Sequence, residues 1–123
     1  MNNMQFSSLP EFDKELKKLL KKRFRTLAQD LNLFKQRILI KYPRGYHPVI
    51  VRIDKLSLEV EIYKVKHFRC KALKHKGSRS GIRIVYAYFP KQVKIEFVQI
   101  YYKERDNKDC DKKRILKYYE NLK

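Results

Sequence analysis

Acidic residues are scarce. Thirteen Asp and Glu stand against thirty-one Lys and Arg, a formal charge of +18 over 123 residues. A small domain needs a net charge of only about 2 to 8 for solubility, so this excess points to polyanionic partners, nucleic acid or the ribosome, and repels cationic ones. Cysteine is almost missing: Cys70 and Cys110 are widely spaced, with no Cys-x-x-Cys and no Cys/His ligand spacing. That argues against a zinc site or a disulfide framework and for reduced thiols. No apolar run reaches the roughly 18 residues a bilayer span requires, and the N-terminal region is charged, unlike a secretory signal. The expected compartment is the cytoplasm, without membrane association. Repeats and low-complexity linkers are also lacking, and a chain of this length builds one core. Residues 1–123 are expected to form a single domain.

What is present is patterned. Ser8-Leu9-Pro10-Glu11 reads as a capping box, with Ser8 accepting from the Glu11 amide and the Glu11 carboxylate reaching back. Phe12, Leu16, Leu19, Leu20 and Leu27 then recur at helical spacing, opposite Lys14, Lys17, Lys18, Lys21, Lys22 and Arg25. Leu27, Leu31, Phe34 and Ile38 extend the pattern past an expected break near Asp30 and Asn32, so a second helix folds back or follows at an angle. Tyr42-Pro43-Arg44-Gly45 ends it. Residues 47–56 read equally as strand or loop.

From Leu58 the period becomes two. Leu58, Val60 and Ile62 alternate with Glu59 and Glu61, then Tyr63 and Val65 alternate with Lys64 and Lys66. The flip at Ile62 implies a bulge or a strand covered on both faces. Ile82 to Phe89 and Val93 to Tyr102, joined by Pro90-Lys91-Gln92, predict a hairpin, and Ile115, Leu116, Tyr119 and Leu122 predict a closing helix over 109–122. Helices, then strands, then a helix give an α+β layer fold with an antiparallel sheet.

The chemistry-bearing stretch lies between Glu61 and Glu96, which enclose no acidic residue but do enclose Lys64, Lys66, Arg69, Lys71, Lys74, Lys76, Arg79, Arg83, Lys91 and Lys94. Gly77-Ser78-Arg79-Ser80-Gly81 could bring amides and Arg79 close to phosphate. Tyr63, Phe68, Tyr86, Tyr88, Tyr101 and Tyr102 are interleaved with these cations, and aromatics beside Arg and Lys suit unstacked bases. His67 and His75 are candidate proton carriers in the same window.

Ile62-Tyr63-Lys64-Val65-Lys66, Ser80-Gly81-Ile82-Arg83-Ile84-Val85-Tyr86 and Ile100-Tyr101-Tyr102-Lys103-Glu104-Arg105 together resemble the sheet signature of the RelE/ParE toxin superfamily, and Phe6 to Leu20 is similar to its opening strand and lysine-rich helix. The resemblance implies an N-terminal helical hairpin on a twisted antiparallel sheet of about four strands, with a short C-terminal helix. It implies a RelE-like activity: metal-independent, cofactor-free cutting of messenger RNA on the ribosome, in which the 2′-hydroxyl attacks its own phosphate and cationic side chains replace the usual acid–base pair. It also implies control by an acidic antitoxin. Position by position, Lys66 stands for the base and Lys64 for a phosphate contact, Arg83 for the arginine that holds the scissile phosphate, and Arg79 for its support. Lys103 or Arg105 falls near the leaving group. Arg69, Lys71, Lys74, Lys76 and Tyr102 would contact RNA. A longer connection, 69–80, could slip the lysine match toward Lys71, Lys74 or Lys76, and no tyrosine follows Arg105 where the family stacks a base, leaving Tyr102, Tyr118 or Tyr119. Two rivals stand beside this reading: a ParE-like inhibitor of DNA gyrase, and a non-catalytic basic module that binds RNA or ribosomes.

Overall fold

The computed structural model describes residues 3–53, 56, 58–73, 80–103 and 110–121. Its centre is the hairpin of β4 (Ile82–Phe89) and β5 (Lys94–Tyr102), joined by a 3-10 turn at Pro90–Gln92. β3 (Glu61–Val65) and β2 (Ile50–Arg52) extend the sheet beyond β4, and β1 (Gln5–Ser8) pairs with β5, for the order β1-β5-β4-β3-β2. The sheet thus has five strands rather than about four, because the ambiguous stretch after His47 contributes β2. It is mixed rather than purely antiparallel, because β1 runs parallel to β5. α1 (Pro10–Leu20) and α2 (Leu27–Phe34) form the helical hairpin, and α3 (Lys112–Tyr119) closes the chain. Among the described residues no helix is long and apolar enough to cross a membrane.

Both faces of the sheet are covered, which explains the parity flip at Ile62. Ile82, Ile84, Tyr86 and Tyr88 of β4 pack with Phe12, Leu19, Leu27, Leu31 and Phe34 of the helical hairpin, and Tyr63 and Val65 join them. Val60, Ile62, Val85, Ala87 and Val98 pack on the other face with Ile115 and Tyr119 of α3. β3 itself keeps an unbroken register with β4, so Ile62 and Tyr63 are both buried without a bulge. The bulge lies in β5: Val85 pairs with Gln99 but Tyr86 pairs with Phe97. The extra residue turns Gln99 toward α3, where its side-chain carbonyl accepts the Asp111 amide at 2.7 Å.

Three local expectations are corrected. Ser8 does not cap α1, because it ends β1 opposite Phe97. Leu9 takes the N-cap position, and Pro10 opens the helix with its fixed φ. The Ser8 hydroxyl instead donates to Asp13 at 2.6 Å, and the Glu11 carboxylate accepts from the Tyr118 hydroxyl at 2.8 Å. The break between helices comes before Leu27, so Asp30 lies inside α2, 5% exposed. Finally, α2 widens into a π-helical segment, Lys35–Leu39, in which the Ile40 amide reaches back to the Lys35 carbonyl at 3.1 Å. The wider turn adds one residue to the repeat, which buries Leu39 completely and leaves Ile38 half-buried.

Candidate nucleic-acid interface

Strand pairing converts the acid-free window of the sequence into a spatial segregation. Glu61 is opposite Tyr88, and Glu96 is opposite Ala87, near the far end of β4. Arg83 is at the near end, opposite Tyr101, about 17 Å away at roughly 3.3 Å per residue. Directly paired residues share a face, and Lys64 is paired with Val85, so Lys64 and Arg83 lie on the α3 side of the sheet. Lys66 follows Lys64 by two residues on that side, its amide held by the Val49 carbonyl at 2.8 Å. Lys103 follows the last residue of β5, and its amide donates to Gly81 at 3.0 Å. Lys64, Lys66 and Arg83 therefore lie on one face, and Lys103 follows β5 at the same end of the sheet.

The same face is divided along its length. α3 covers the half with Ala87 and Glu96, where the Tyr119 hydroxyl donates to Glu96 at 2.6 Å and its ring meets Phe89 edge-on. Its first turn lies beside Gln99, so the cations stand beyond the start of the helix. Lys66 and Lys103 are exposed, and Lys64 and Arg83 are half-buried. Arg83 donates to the Ile82 carbonyl at 3.4 Å, a weak bond, and among the described residues its guanidinium meets no carboxylate. A planar fork in that position can take two phosphate oxygens, while the lysines act as point charges.

The 69–80 connection leaves and rejoins the sheet at one place. Ser80, 1% exposed, donates to the Phe68 carbonyl at 2.5 Å and accepts the Ile82 amide at 3.1 Å. Its first residues dock on the start of α2, where Asp30 accepts the Lys71 amide at 3.1 Å and the Thr26 hydroxyl accepts the Ala72 amide at 2.8 Å. Arg69 and Lys71 are exposed there, on the rim of a cavity of about 390 Å³ floored by Phe34, Ile38 and Phe68. That cavity belongs to the helical-hairpin side, so Arg69 and Lys71 are not brought together with Arg83. Lys74, His75, Lys76, Arg79 and Arg105 lie outside the described residues. His67 is exposed.

Tyr102 does not join the site. Bulge and alternation turn it to the helical hairpin, 7% exposed, where it meets Phe24 edge-on at 5.0 Å and accepts a hydrogen bond from Arg23. The Arg23 guanidinium also covers its ring at 4.8 Å. A ring enclosed in this way has no face for a base. Tyr119 is likewise core, 2% exposed, and Tyr118 is committed to Glu11. Tyr101 is the tyrosine that shares the face with Arg83, at 3% exposure. The sequence named Tyr101 among the interleaved aromatics but could not tell its face from that of Tyr102, because the bulge near Val98 and Gln99 leaves no mark on composition. Among the described residues no group of three or more His, Cys, Asp or Glu could hold a metal ion. Burial raises the Cys70 thiol above its ordinary pKa.

No protein-family model matches the sequence, and no curated protein does. The fold does have a counterpart among solved structures. The RelE–RelB complex of the archaeon Pyrococcus horikoshii OT3 contains a chain that superposes with a TM-score of 0.52 over 85% of this chain and 99% of its own, at 13% sequence identity. This chain has a RelE-like fold. The RelE-like sheet carries Lys64, Lys66 and Arg83 on the side opposite the helical hairpin, with Lys103 just past β5.

Proposed function

We propose that this protein is the toxin of a toxin–antitoxin pair, an endoribonuclease that cuts messenger RNA on the translating ribosome without a metal. The observation that carries the reading is that Lys64, Lys66, Arg83 and Lys103 lie at the end of a RelE-like sheet away from Glu61 and Glu96. In the proposed step Lys66 withdraws the proton of a 2′-hydroxyl, whose oxygen attacks the adjacent phosphorus. Arg83 and Lys64 hold the phosphorane charge as it develops. Arg79 would support Arg83, and Lys103 or Arg105 would stand by the departing 5′-oxygen, which takes up a proton from water, leaving a 2′,3′-cyclic phosphate. Lysine is a weak base at neutral pH unless neighbouring cations or burial act on it, so the ribosome supplies the alignment of the 2′-hydroxyl that the site does not.

A chain of charge +18 is silenced most simply by an acidic protein laid across the cationic face, where charge complementarity speeds encounter and excludes wrong partners. The similarity to a RelE captured with RelB supports such a partner. The test is expression of this protein alone, followed by primer extension on cellular messages. The reading expects growth arrest and cuts confined to translated messages, both reversed by the acidic partner. Arrest with intact messages and damaged DNA would move the assignment to gyrase, and normal growth at high soluble expression would remove it.

A further inference from the structure

Three large hydrophobic residues are exposed among the described residues: Tyr42 at 41%, Tyr46 at 45%, and Val93 at 37% in the β4–β5 turn. The two tyrosines are stacked on each other, ring centroids 4.6 Å apart and planes 20° from parallel. The segment that bears them is firmly held. The Pro43 carbonyl accepts from the Tyr86 hydroxyl at 2.9 Å, and Arg44 is ion-paired with Glu61 at 3.2 Å. Gly45 has φ +105°, and a Cβ there would sit 3.5 Å from the Tyr63 ring and 3.3 Å from the Ile50 carbonyl. Tyr46 exchanges both backbone hydrogen bonds with Ile50, at 2.9 and 3.1 Å. A tightly anchored turn therefore presents two stacked rings to solvent.

We propose that Tyr42 and Tyr46 form a stacking platform for an unpaired base of single-stranded RNA, a contact separate from the cationic face. The proposal deepens the RNA-cutting reading above and rests on it. Position supports it: Val49, three residues after Tyr46, holds the Lys66 amide, so the platform borders the sheet edge next to the end of β3 that carries Lys66. A strand crossing the cationic face reaches the rings by turning round β2. Charge supports it too: Lys41 and His47 flank the rings and residues 41–47 contain no carboxylate, while Arg44 is held by Glu61. Two isolated rings are too little apolar surface for a docked peptide, which needs a contiguous patch, but they are what a base requires, because every base has a π-face and stacking tolerates any sequence.

The experiment is fluorescence anisotropy with short labelled oligoadenylate and oligouridylate over a series of salt concentrations. Tyr42→Ala/Tyr46→Ala should weaken oligoadenylate binding by roughly ten-fold or more, the scale of one lost base–aromatic stack, and should shrink the preference for adenine over uracil. Its salt slope should stay that of the parent, because no phosphate contact is lost. Tyr42→Phe/Tyr46→Phe should bind as the parent does, and circular dichroism should be unchanged in both. Parent-like binding by the Ala variant, or an equal loss in the Phe variant, overturns the proposal. So does an Ala variant that keeps its RNA affinity but no longer captures an acidic protein partner, since the rings would then belong to a protein interface. Failure of the nuclease reading looks different: a chain that never cuts messages yet still binds RNA through the rings keeps the platform and loses the enzyme.

Discussion

Arg114 of α3 grips Glu15 of α1 with two guanidinium nitrogens, each 2.9 Å from a different carboxylate oxygen. The pair sits where β1 has run out and β5 continues bare. Arg114 also donates to the Val98 carbonyl at 2.8 Å, and Glu15 accepts the Ile100 amide at 3.3 Å. The ion pair thus satisfies an open strand edge and joins helices from opposite faces of the sheet. The side chains are 13% and 24% exposed, so removing one partner leaves a largely desolvated charge. Arg114→Ala should cost about 2–3 kcal/mol in urea unfolding. A double-mutant cycle with Glu15→Ala should show strong coupling, and Arg114→Lys should restore only part because it cannot span both oxygens.

Asp30 predicts a second loss. It accepts the Thr26 hydroxyl at 2.8 Å and the Lys71 amide at 3.1 Å while nearly buried. Asp30→Ala should lower stability by about 1–3 kcal/mol, the scale of leaving buried donors unpaired. Amide exchange at Lys71 and Ala72 should rise well above the change seen in β4, which marks the lesion as release of the docked segment rather than general loosening.

Arg83 decides the enzymatic reading. Arg83→Ala should slow single-turnover cleavage on programmed ribosomes on the order of 100-fold or more, the usual scale for one preorganised charge stabiliser, with Arg83→Lys in between. Its half-buried side chain makes one weak hydrogen bond, so the melting temperature should barely move. Lys66→Ala should impair cutting with little loss of ribosome affinity, because the other cations supply most of the attraction. A folded Arg83→Ala protein cutting at the parent rate would remove Arg83 from the site.

Tyrosines set the alkaline limit. Burial raises Tyr63, Tyr86 and Tyr119 above the ordinary 10.0, aided by the bonds of Tyr63 to Glu61 and Tyr119 to Glu96. For a group raised on folding, the contribution is whole below the unfolded value and is lost as pH climbs past it. Stability should therefore fall from pH 10 upward, with part of the tyrosinate absorbance appearing only as far-UV ellipticity disappears. On the acid side, the Tyr118 hydroxyl holds the Glu11 carboxyl below its ordinary 4.5, so that contribution is present above 4.5 and fades as pH falls beneath it. Tyr118→Phe should flatten the acid limb, and Tyr119→Phe the alkaline one.

The β4–β5 hairpin was legible in the sequence because Ile82, Ile84, Tyr86 and Tyr88 alternate on one face and the Pro90 turn interrupts them. The helical hairpin was legible from its leucines. The face of Lys64 and Arg83 also followed from alternation. What escaped depends on distant partners. Ser8 carries a capping signature, yet pairing with Phe97 claims it for a strand, and Glu11 goes to Tyr118 instead. Tyr101 and Tyr102 exchange roles because one extra residue near Val98 shifts the frame. β2 is three residues long, too short for a period to declare itself, and it exists because β3 offers an edge.

The parallel pairing of β1 with β5 joins residues 89 positions apart, as the Ser7–Glu96 hydrogen bond also does. Closing so long a loop costs entropy that only the finished contact offsets. The first strand to leave the ribosome must therefore wait for nearly the last, and the Glu15–Arg114 clasp waits longer still. A nascent chain cannot complete its sheet until β5 has emerged, so β1 stays an unpaired strand while the intervening helices and strands are made.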